Sequence, residues 1–298
     1  MKSKLRIIIE RRLPSFLSKR VIVAGQQYKK AKRHEERVKK YGSDKPFTFH
    51  VNIENIIFDI ILDPVHNCVV DAEIAERGYW EKDIAIALKK YLKKGDVFLD
   101  IGANIGIHSL FAASLLEETG KVYSFEPIPR LAHQLQKSIE LNSFSNIKVC
   151  NFALGEHDEE EKTIYIRDEN IGGSSLFRFE NIELVKVIGT EKVALKQLDS
   201  FLADATINII KIDVEGFEYE VLKGATKILQ QNHPIIFMEY SPIFYSQESE
   251  KKSYDIIIFL ESLGYSFYLL NEDVIDLRSW LQRKENRNSQ IDIICRVM

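Results

Sequence analysis

The fold of this 298-residue chain is decided by the stretch Val97-Phe98-Leu99-Asp100-Ile101-Gly102-Ala103-Asn104-Ile105-Gly106. Its apolar residues and one acid predict a buried strand, its glycines predict a tight turn, and residues 106–116 are typical of a helix. Glycine lets the backbone bend sharply and lets a ligand approach without a side chain in between. Because ligands of open α/β sheets bind beyond the carboxyl ends of strands, this turn is predicted to begin a ligand site.

Strand and helix patterns alternate from this stretch onward, which predicts a parallel sheet covered by helices on both faces. We expect the last two strands to be joined by a polar stretch with little helical pattern, so the last strand is expected to be antiparallel. Residues 155–198 are a more polar excursion. The predicted strands are 97–101, 121–125, 147–153, 207–212, 234–239, 266–270 and 291–297, and the predicted helices are 106–116, 130–141, 218–229 and 254–263.

Three regions are expected: a basic, helical N-terminal extension (1–46), strands and a helix packing on the catalytic domain (47–94), and that domain itself (95–298). Residues 1–45 hold 15 Lys and Arg against 4 Asp and Glu, although the whole chain has a net charge of −3. Such asymmetry predicts contact with an anionic surface. The alternative is a solvated helical face.

Several classes of protein are disfavoured by composition. No apolar run reaches the ~18–20 residues of a membrane span, and the N-terminus has no apolar core of a secretory signal. Cys68, Cys150 and Cys295 are widely spaced, which does not indicate a zinc site or a disulfide framework. We therefore expect a cytoplasmic protein with reduced cysteines and no metal ligands. The oligomeric state is left open.

The glycine spacing separates two kinds of ligand. A nicotinamide oxidoreductase requires G-x-G-x-x-G for its pyrophosphate, and Asn104 stands where the middle glycine would be. Glu126, at the end of the second strand and 24 residues beyond Gly102, is placed to accept hydrogen bonds from ribose hydroxyls. Asn151, or a backbone amide near it, is a candidate for the adenine edge.

Charged residues follow the later strands of the predicted sheet. Lys211, Asp213 and Glu215 alternate and are expected to share one face, and Glu239 ends the next strand. These acids are candidates for a general base, with Asp213 first, or for a divalent cation that polarises an acceptor hydroxyl. A purely structural ion pair with Lys211 is the alternative. His108, in the first helix, is a further candidate base. Gly172-Gly173-Ser174-Ser175-Leu176 is interpreted as either an acceptor-binding lid or a plain hairpin loop.

Together these motifs resemble the FkbM family of methyltransferases. The resemblance covers about residues 79–240 and is carried by Asp100–Gly106, Phe125-Glu126-Pro127, Asn142, Ala153-Leu154-Gly155, Lys211–Gly216, Leu222–Ala225 and Glu239. It implies a class I methyltransferase (Rossmann-like) fold with seven strands, S-adenosylmethionine as the methyl donor, and a hydroxyl acceptor on a sugar, glycan or secondary metabolite.

By motif position, the resemblance also implies roles for individual residues. Asp100, Gly102, Asn104 and Gly106 would surround the methionine part of the cofactor, and Glu126 would hold its ribose. Pro127 and Ala153 belong to the same cofactor-binding set. Glu81, in the segment Gly78–Glu81, corresponds to an acid near the cofactor. The competing hypotheses are a non-catalytic protein with this fold and a nucleic-acid methyltransferase that uses the basic arm.

Overall fold

The computed structural model describes residues 32, 34–66, 69–168, 170–177, 187–245 and 250–297. Residues 34–41 are helical. Residues 1–31 and 33 of the expected basic extension lie outside the described residues, as does Cys68, so the contact of the extension with an anionic surface stays a prediction. Within the described part of the chain, no helix is long and apolar enough to span a bilayer.

Twelve strands are found in the described residues. They are β1 (Phe47–Ile53), β2 (Ile56–Leu62), β3 (Val97–Ile101), β4 (Lys121–Phe125), β5 (Ile147–Cys150), β6 (Ala153–Leu154), β7 (Glu159–Arg167), β8 (Val187–Lys196), β9 (Ile209–Ile212), β10 (Ile235–Tyr240), β11 (Tyr265–Leu269) and β12 (Ile291–Val297). The helices that follow residue 68 are α1 (Val69–Arg77), α2 (Lys82–Tyr91), α3 (Ile107–Leu116), α4 (Pro129–Leu141), α5 (Leu198–Phe201), α6 (Glu218–Gly224), α7 (Thr226–Asn232), α8 (Pro242–Tyr245), α9 (Glu250–Ser262) and α10 (Leu277–Gln282). Single 3₁₀ turns cover Ile171–Gly173 and Lys284–Asn288.

Seven strands form the central sheet in the order β11-β12-β10-β9-β3-β4-β5. The five strands from β10 to β5 are parallel to their neighbours, whereas β12 is antiparallel to both β10 and β11. This confirms the expected seven-stranded class I methyltransferase fold with an antiparallel last strand. The chain leaves β3 towards β4 on one side and returns to β9 on the other. The order therefore reverses between β3 and β9, where a ligand crevice is expected.

The hairpin of β1 and β2 covers the outer side of two helices. Strand β2 packs on α3 and α4, and eight of the ten residues of α3 are buried. A helix that is apolar all round must be covered on all sides. The hairpin therefore explains why the sequence of α3 is so uniformly apolar.

The polar excursion of the sequence forms a second sheet, which was not predicted. Strand β8 pairs antiparallel with β7 and parallel with β6. The single strand expected over 147–153 is thus two strands, because the chain leaves the central sheet after Cys150 and joins this second sheet at Ala153.

Two further expectations need correction. The helix expected over 218–229 is divided at Ala225 into α6 and α7. Gly224 packs there so closely that an added Cβ would lie 1.9 Å from the carbonyl oxygen of Gly155. Helix α10, between β11 and β12, was not expected in a polar stretch. Asp276 stabilises its first turn by accepting a hydrogen bond from the Ser279 backbone N–H at 3.1 Å.

Candidate cofactor and acceptor site

A cavity lies at the carboxyl ends of β3, β4 and β9. The second sheet and the 3₁₀ turn at Ile171–Gly173 close it from one side. Six of the residues expected at the site line this cavity: Gly102, Glu126, Pro127, Ala153, Asp213 and Glu215. The sheet thus brings together side chains from both sides of the point where the strand order reverses.

Glu126 is a buried carboxylate whose two oxygens are both held by backbone. Its Oε2 accepts from the Asn104 N–H at 2.9 Å, and its Oε1 accepts from the Ile128 N–H at 2.8 Å. Burial raises its pKa to about 7, against the lowering effect of these two hydrogen bonds. Each oxygen keeps acceptor capacity for a further donor, so the group can receive two adjacent hydroxyls.

The turn after β3 is held in left-handed backbone conformations. Gly102 has φ of 81°, Asn104 has 53° and Gly106 has 83°. An added Cβ on Gly102 would lie 1.8 Å from the Asp213 carbonyl oxygen, and one on Gly106 would lie 2.1 Å from Leu135 Cδ1. The two glycines are therefore required by close packing of this turn against β9 and α4.

Asp100 is buried near the end of β3, and only one of its two carboxylate oxygens accepts a hydrogen bond from the described residues. Its Oδ2 accepts from the Ser109 hydroxyl at 2.6 Å, and that serine accepts in turn from the Ser124 hydroxyl at 2.7 Å. Its Oδ1 has no hydrogen-bond partner among the described residues. A buried acceptor left in this state is available to a ligand.

Asn151 is engaged differently from its expected role at the adenine edge. Its side-chain NH₂ donates to the carbonyl oxygens of Glu126 at 2.8 Å and Pro127 at 3.0 Å. The amide therefore ties the end of β5 to the end of β4, because both hydrogens of its nitrogen are used there. Phe152, beside it, lines the cavity and packs edge to face on Phe125 and Phe201.

Glu81 and His108 form a pair in the interior. His108 Nε2 lies 3.0 Å from Glu81 Oε2, and His108 Nδ1 has no partner among the described residues. Burial would raise the pKa of Glu81, but the hydrogen bond from His108 and the charge of Lys211 outweigh it and lower the pKa to about 2. Glu81 is therefore a fixed anion, with its backbone in the left-handed region at φ of 43°.

Lys211 and Asp213 form the ion pair that the sequence left as an alternative to catalysis. Lys211 Nζ is 3.2 Å from Asp213 Oδ2. Burial lowers the pKa of Lys211, but the carboxylates of Asp213 and Glu81 outweigh that effect and raise it. Burial raises the pKa of Asp213, opposed by the charge of Lys211.

Glu215 does not continue the face of Lys211 and Asp213 as the alternation predicted. The strand ends at Ile212, and Glu215 turns away with φ of 54°. Its Oε2 lies 3.5 Å from Arg167 Nη1, in the second sheet. Burial and the neighbouring charge of Asp213 raise the pKa of Glu215 to about 7.

Glu239 lies apart from the residues that line the cavity. Its Oε2 accepts from the Ser241 hydroxyl and the Gln290 amide, both at 3.2 Å. Burial raises its pKa, and the charge of Asp213 adds to the effect. Among the described residues, Glu239 does not come within ligand distance of Asp213 and Glu215 for one metal ion.

Three contributors were missed by the sequence reasoning. Arg167, in the polar excursion over residues 155–198, forms an ion pair with Glu215. Glu218, fully buried, accepts from the backbone N–H groups of Gly216 at 3.1 Å and Val214 at 3.3 Å, and burial raises its pKa to about 8. It shapes the turn that carries Asp213 and Glu215. Ser109 was not recognisable, because a serine one turn into an apolar helix is common.

The glycine-rich segment after β7, expected as a lid or a loop, is bound to the rest of the site. Ser175 Oγ donates to the Glu215 carbonyl at 2.7 Å, and Arg167 donates to the Gly173 carbonyl at 3.2 Å. An added Cβ on Gly172 would lie 2.0 Å from Asn104 Nδ2. This turn therefore packs on the turn after β3.

Among the known proteins to which this chain is similar are two methyltransferases that match over 142 and 160 residues. Methyltransferase 1 of Beauveria bassiana is 27% identical over 142 residues, which cover 42% of this chain and 57% of that protein. Hexuronic acid methyltransferase AglP of Haloferax volcanii is 28% identical over 160 residues, which cover 52% of this chain and 61% of that protein. The match thus spans about three fifths of each relative's length.

A crystal structure of a methyltransferase FkbM from Methylobacillus flagellatus KT covers 70% of this chain and 45% of its own, with a TM-score of 0.44 and 18% identity.

The donors and acceptors at the cavity fit S-adenosylmethionine. Glu126 lines the cavity with a carboxylate that can accept from two adjacent hydroxyls, whereas Asp100, whose Oδ1 has no partner among the described residues, is not one of the residues that line it. The sequence profile of the methyltransferase FkbM domain matches residues 100–267. Since this match spans more than half of the chain, the chain belongs to the FkbM methyltransferase family, whose cofactor is S-adenosylmethionine.

Proposed function

We propose that this chain transfers a methyl group from S-adenosylmethionine to a hydroxyl oxygen of a sugar, a glycan or a similar metabolite. The observation that carries the proposal is the meeting of Glu126, Asp213 and Glu215 around one cavity. A carboxylate suited to ribose hydroxyls stands there beside carboxylates whose pKa values are raised above the ordinary range. The relative named as a hexuronic acid methyltransferase supports a sugar as the acceptor class.

We assign the cofactor to the ends of β3 and β4. Glu126 would accept the two ribose hydroxyls, and Asp100 would accept from the amino group through its spare Oδ1. Gly102, Asn104 and Gly106 would let the backbone approach, and Phe152 with Ala153 would flank the adenine. When bound, the cofactor supplies a methyl group activated by a positively charged sulfur.

We assign the acceptor to the side of the cavity formed by the end of β9. Asp213 is placed first as the group that takes the hydroxyl proton, because its backbone carbonyl packs against Gly102 at the cofactor turn. The charge of Lys211, 3.2 Å away, opposes the rise in the pKa of Asp213 that burial causes, and Glu215 is the second candidate. Holding the acceptor in line contributes about 7–11 kcal/mol to lowering the barrier, and a positioned base adds about 10²–10⁴-fold.

Calorimetric titration of the purified protein with S-adenosylmethionine, S-adenosylhomocysteine and NADH tests the cofactor assignment. We expect the first two to bind and NADH not to bind. Glu126→Ala should weaken binding by about 1–3 kcal/mol, because buried donors lose their acceptor. Glu160→Ala, an exposed glutamate of β7, is the control and should bind as the parent does. Equal affinity of the Glu126 and Glu160 variants would remove the ribose assignment.

Turnover of a panel of sugars, uronic acids and polyhydroxylated metabolites tests the acceptor. With an accepted substrate, Asp213→Asn should lower kcat by about 10²-fold or more while leaving S-adenosylhomocysteine affinity within twofold. Asp204→Asn, an exposed aspartate, serves as the control. Normal kcat in Asp213→Asn together with a loss in Glu215→Gln would transfer the role of base to Glu215.

A further inference from the structure

Three side chains of the kinds that bind metal ions lie close together at the surface. None of them is among the residues that line the cavity. His34 comes from the helical residues 34–41, Asp44 from the turn that follows, and His66 from the loop after β2. His34 Nε2 lies 3.2 Å from Asp44 Oδ1, and His66 Nε2 lies 3.5 Å from the same oxygen. All three ligand atoms lie within 4.8 Å of one another.

These separations match the edges of a tetrahedral zinc site. Zinc bonds to histidine nitrogen and carboxylate oxygen are about 2.0–2.2 Å long, which puts neighbouring ligand atoms of a tetrahedron about 3.3–3.6 Å apart. The two measured separations, 3.2 and 3.5 Å, lie at about that length. Two of the three edges of the cluster therefore already have the length that one bound ion requires.

The ring of His66 is also held through its other nitrogen. Its Nδ1 lies 2.7 Å from Asp63 Oδ1, and the same oxygen accepts from the His66 backbone N–H at 3.3 Å. A neutral ring that donates from Nδ1 turns the lone pair of Nε2 towards the Asp44 carboxylate. Two acceptors then face each other, and a cation between them removes the conflict. A carboxylate behind a metal-binding histidine is also the usual way in which proteins orient such a ligand.

Asp63 connects this cluster to the interior. Its backbone N–H donates to Asp71 Oδ1 at 2.5 Å, and the buried Asp71 also accepts from Gln134 of α4 at 2.7 Å. These hydrogen bonds thus hold His66, through Asp63, on the folded domain, whereas His34 and Asp44 belong to the end of the basic segment.

We propose that His34, Asp44 and His66 bind Zn²⁺, with solvent at the open position, and that the ion fastens residues 34–44 to the loop after β2. The His34, Asp44 and His66 side chains are 43%, 56% and 40% exposed. Ion pairs at such exposure contribute little, so a metal ion would add to the attachment that Lys40 and Tyr41 already make to Glu76 of α1. The site is separate from the cofactor cavity and takes no part in methyl transfer.

The test uses the full chain, stripped with a chelator, exchanged into neutral buffer and titrated with ZnCl₂ in competition with a chromophoric chelator. We expect one equivalent to bind, and His34→Ala and His66→Ala each to weaken binding at least tenfold. His50→Ala is the matched control, because His50 pairs with Asp59 at 2.8 Å and is 68% exposed, but the described part of the chain places no second metal ligand beside this pair. It should bind zinc as the parent does.

Substitution of Co²⁺ gives a second readout that does not depend on activity. The parent and His50→Ala should develop the visible absorption of tetrahedral Co²⁺, and the His34 and His66 variants should not. Equal zinc affinity in all four proteins would show binding elsewhere and overturn the proposal. Absence of zinc binding by the parent would overturn it as well.

Discussion

Two regions of this molecule bury polar side chains, and they differ in whether each polar atom finds a partner. Where the hairpin meets α4, Asn142 Oδ1 accepts from the Asp59 N–H at 2.8 Å and Ser138 Oγ accepts from the Ile61 N–H at 3.0 Å. Gln134 donates to the Ile61 carbonyl at 2.8 Å. These three side chains provide hydrogen-bond partners for the backbone groups of Asp59 and Ile61 in β2.

The carboxyl edge of the central sheet is arranged in the opposite way. Asp100 Oδ1 and His108 Nδ1 are buried without a partner among the described residues, and Glu126, Glu215 and Glu218 have raised pKa values. Interfaces that only hold a fold together satisfy their polar groups, whereas unsatisfied groups concentrate at functional sites. We infer that the polar groups at the hairpin stabilise the fold, whereas those at the carboxyl edge are left to bind a ligand.

The largest expected effect comes from adding one methyl group to the carboxyl edge. Gly102→Ala places a Cβ 1.8 Å from the Asp213 carbonyl oxygen at φ of 81°. We expect the free energy of unfolding, measured with urea, to fall by about 3 kcal/mol or more, since backbone must move. Gly95→Ala is the control: φ is 90° but nothing lies within 4 Å, so only the backbone conformation is penalised, by about 1–2 kcal/mol. Equal losses would show that the close approach to β9 is unimportant.

An intermediate effect is expected at the hairpin, on stability alone. Asn142→Ala removes the acceptor for Asp59 N–H and the donor to the Asp59 and Ser138 carbonyls. The free energy of unfolding should fall by about 1–3 kcal/mol, while the affinity for S-adenosylhomocysteine stays unchanged. Asn52→Ala, on the exposed face of β1, should change neither. A loss of cofactor affinity in Asn142→Ala would mean that the two regions are coupled.

The smallest effect is the pH dependence of cofactor binding. Ribose hydroxyls donate to the ionised form of Glu126, whose pKa is raised to about 7. Affinity for S-adenosylhomocysteine should therefore be close to its maximum at pH 8. It should be about tenfold weaker, or about 1.4 kcal/mol, at pH 6, because the carboxylate takes up a proton. Glu126→Gln should bind more weakly and with a flat profile over this range. A parent profile as flat as that of the variant would show that Glu126 does not titrate in binding.

The sequence predicted what is local and missed what depends on contacts between distant segments. The strand, turn and helix around Gly102 follow from ten consecutive residues, and the alternation of elements gave the layers of the sheet. Asn142 could be recognised as part of a motif, but its partner, Asp59, lies 83 residues away. Likewise, no pattern links Glu215 to Arg167, because β7 is a polar, partly exposed strand.

The same limit explains the boundaries that were wrong. The break after Cys150 exists because β6 pairs with β8, some forty residues later in the chain. Glu215 leaves the expected face because buried Glu218 holds the backbone of Val214 and Gly216 in a turn. In both places a contact between separate segments overrides the preference of the local sequence.

The position of β12 has a consequence for the order in which the chain folds. Strands β10 and β11 precede β12 in the chain but are separated by it in the sheet. Neither can complete its ladder on that side before residues 291–297 are synthesised, so one edge of β10 and one edge of β11 stay open until then. Such late, non-local pairing slows folding and leaves apolar edges exposed to other chains. A nascent chain paused after β11 is therefore where we expect a chaperone to be needed most.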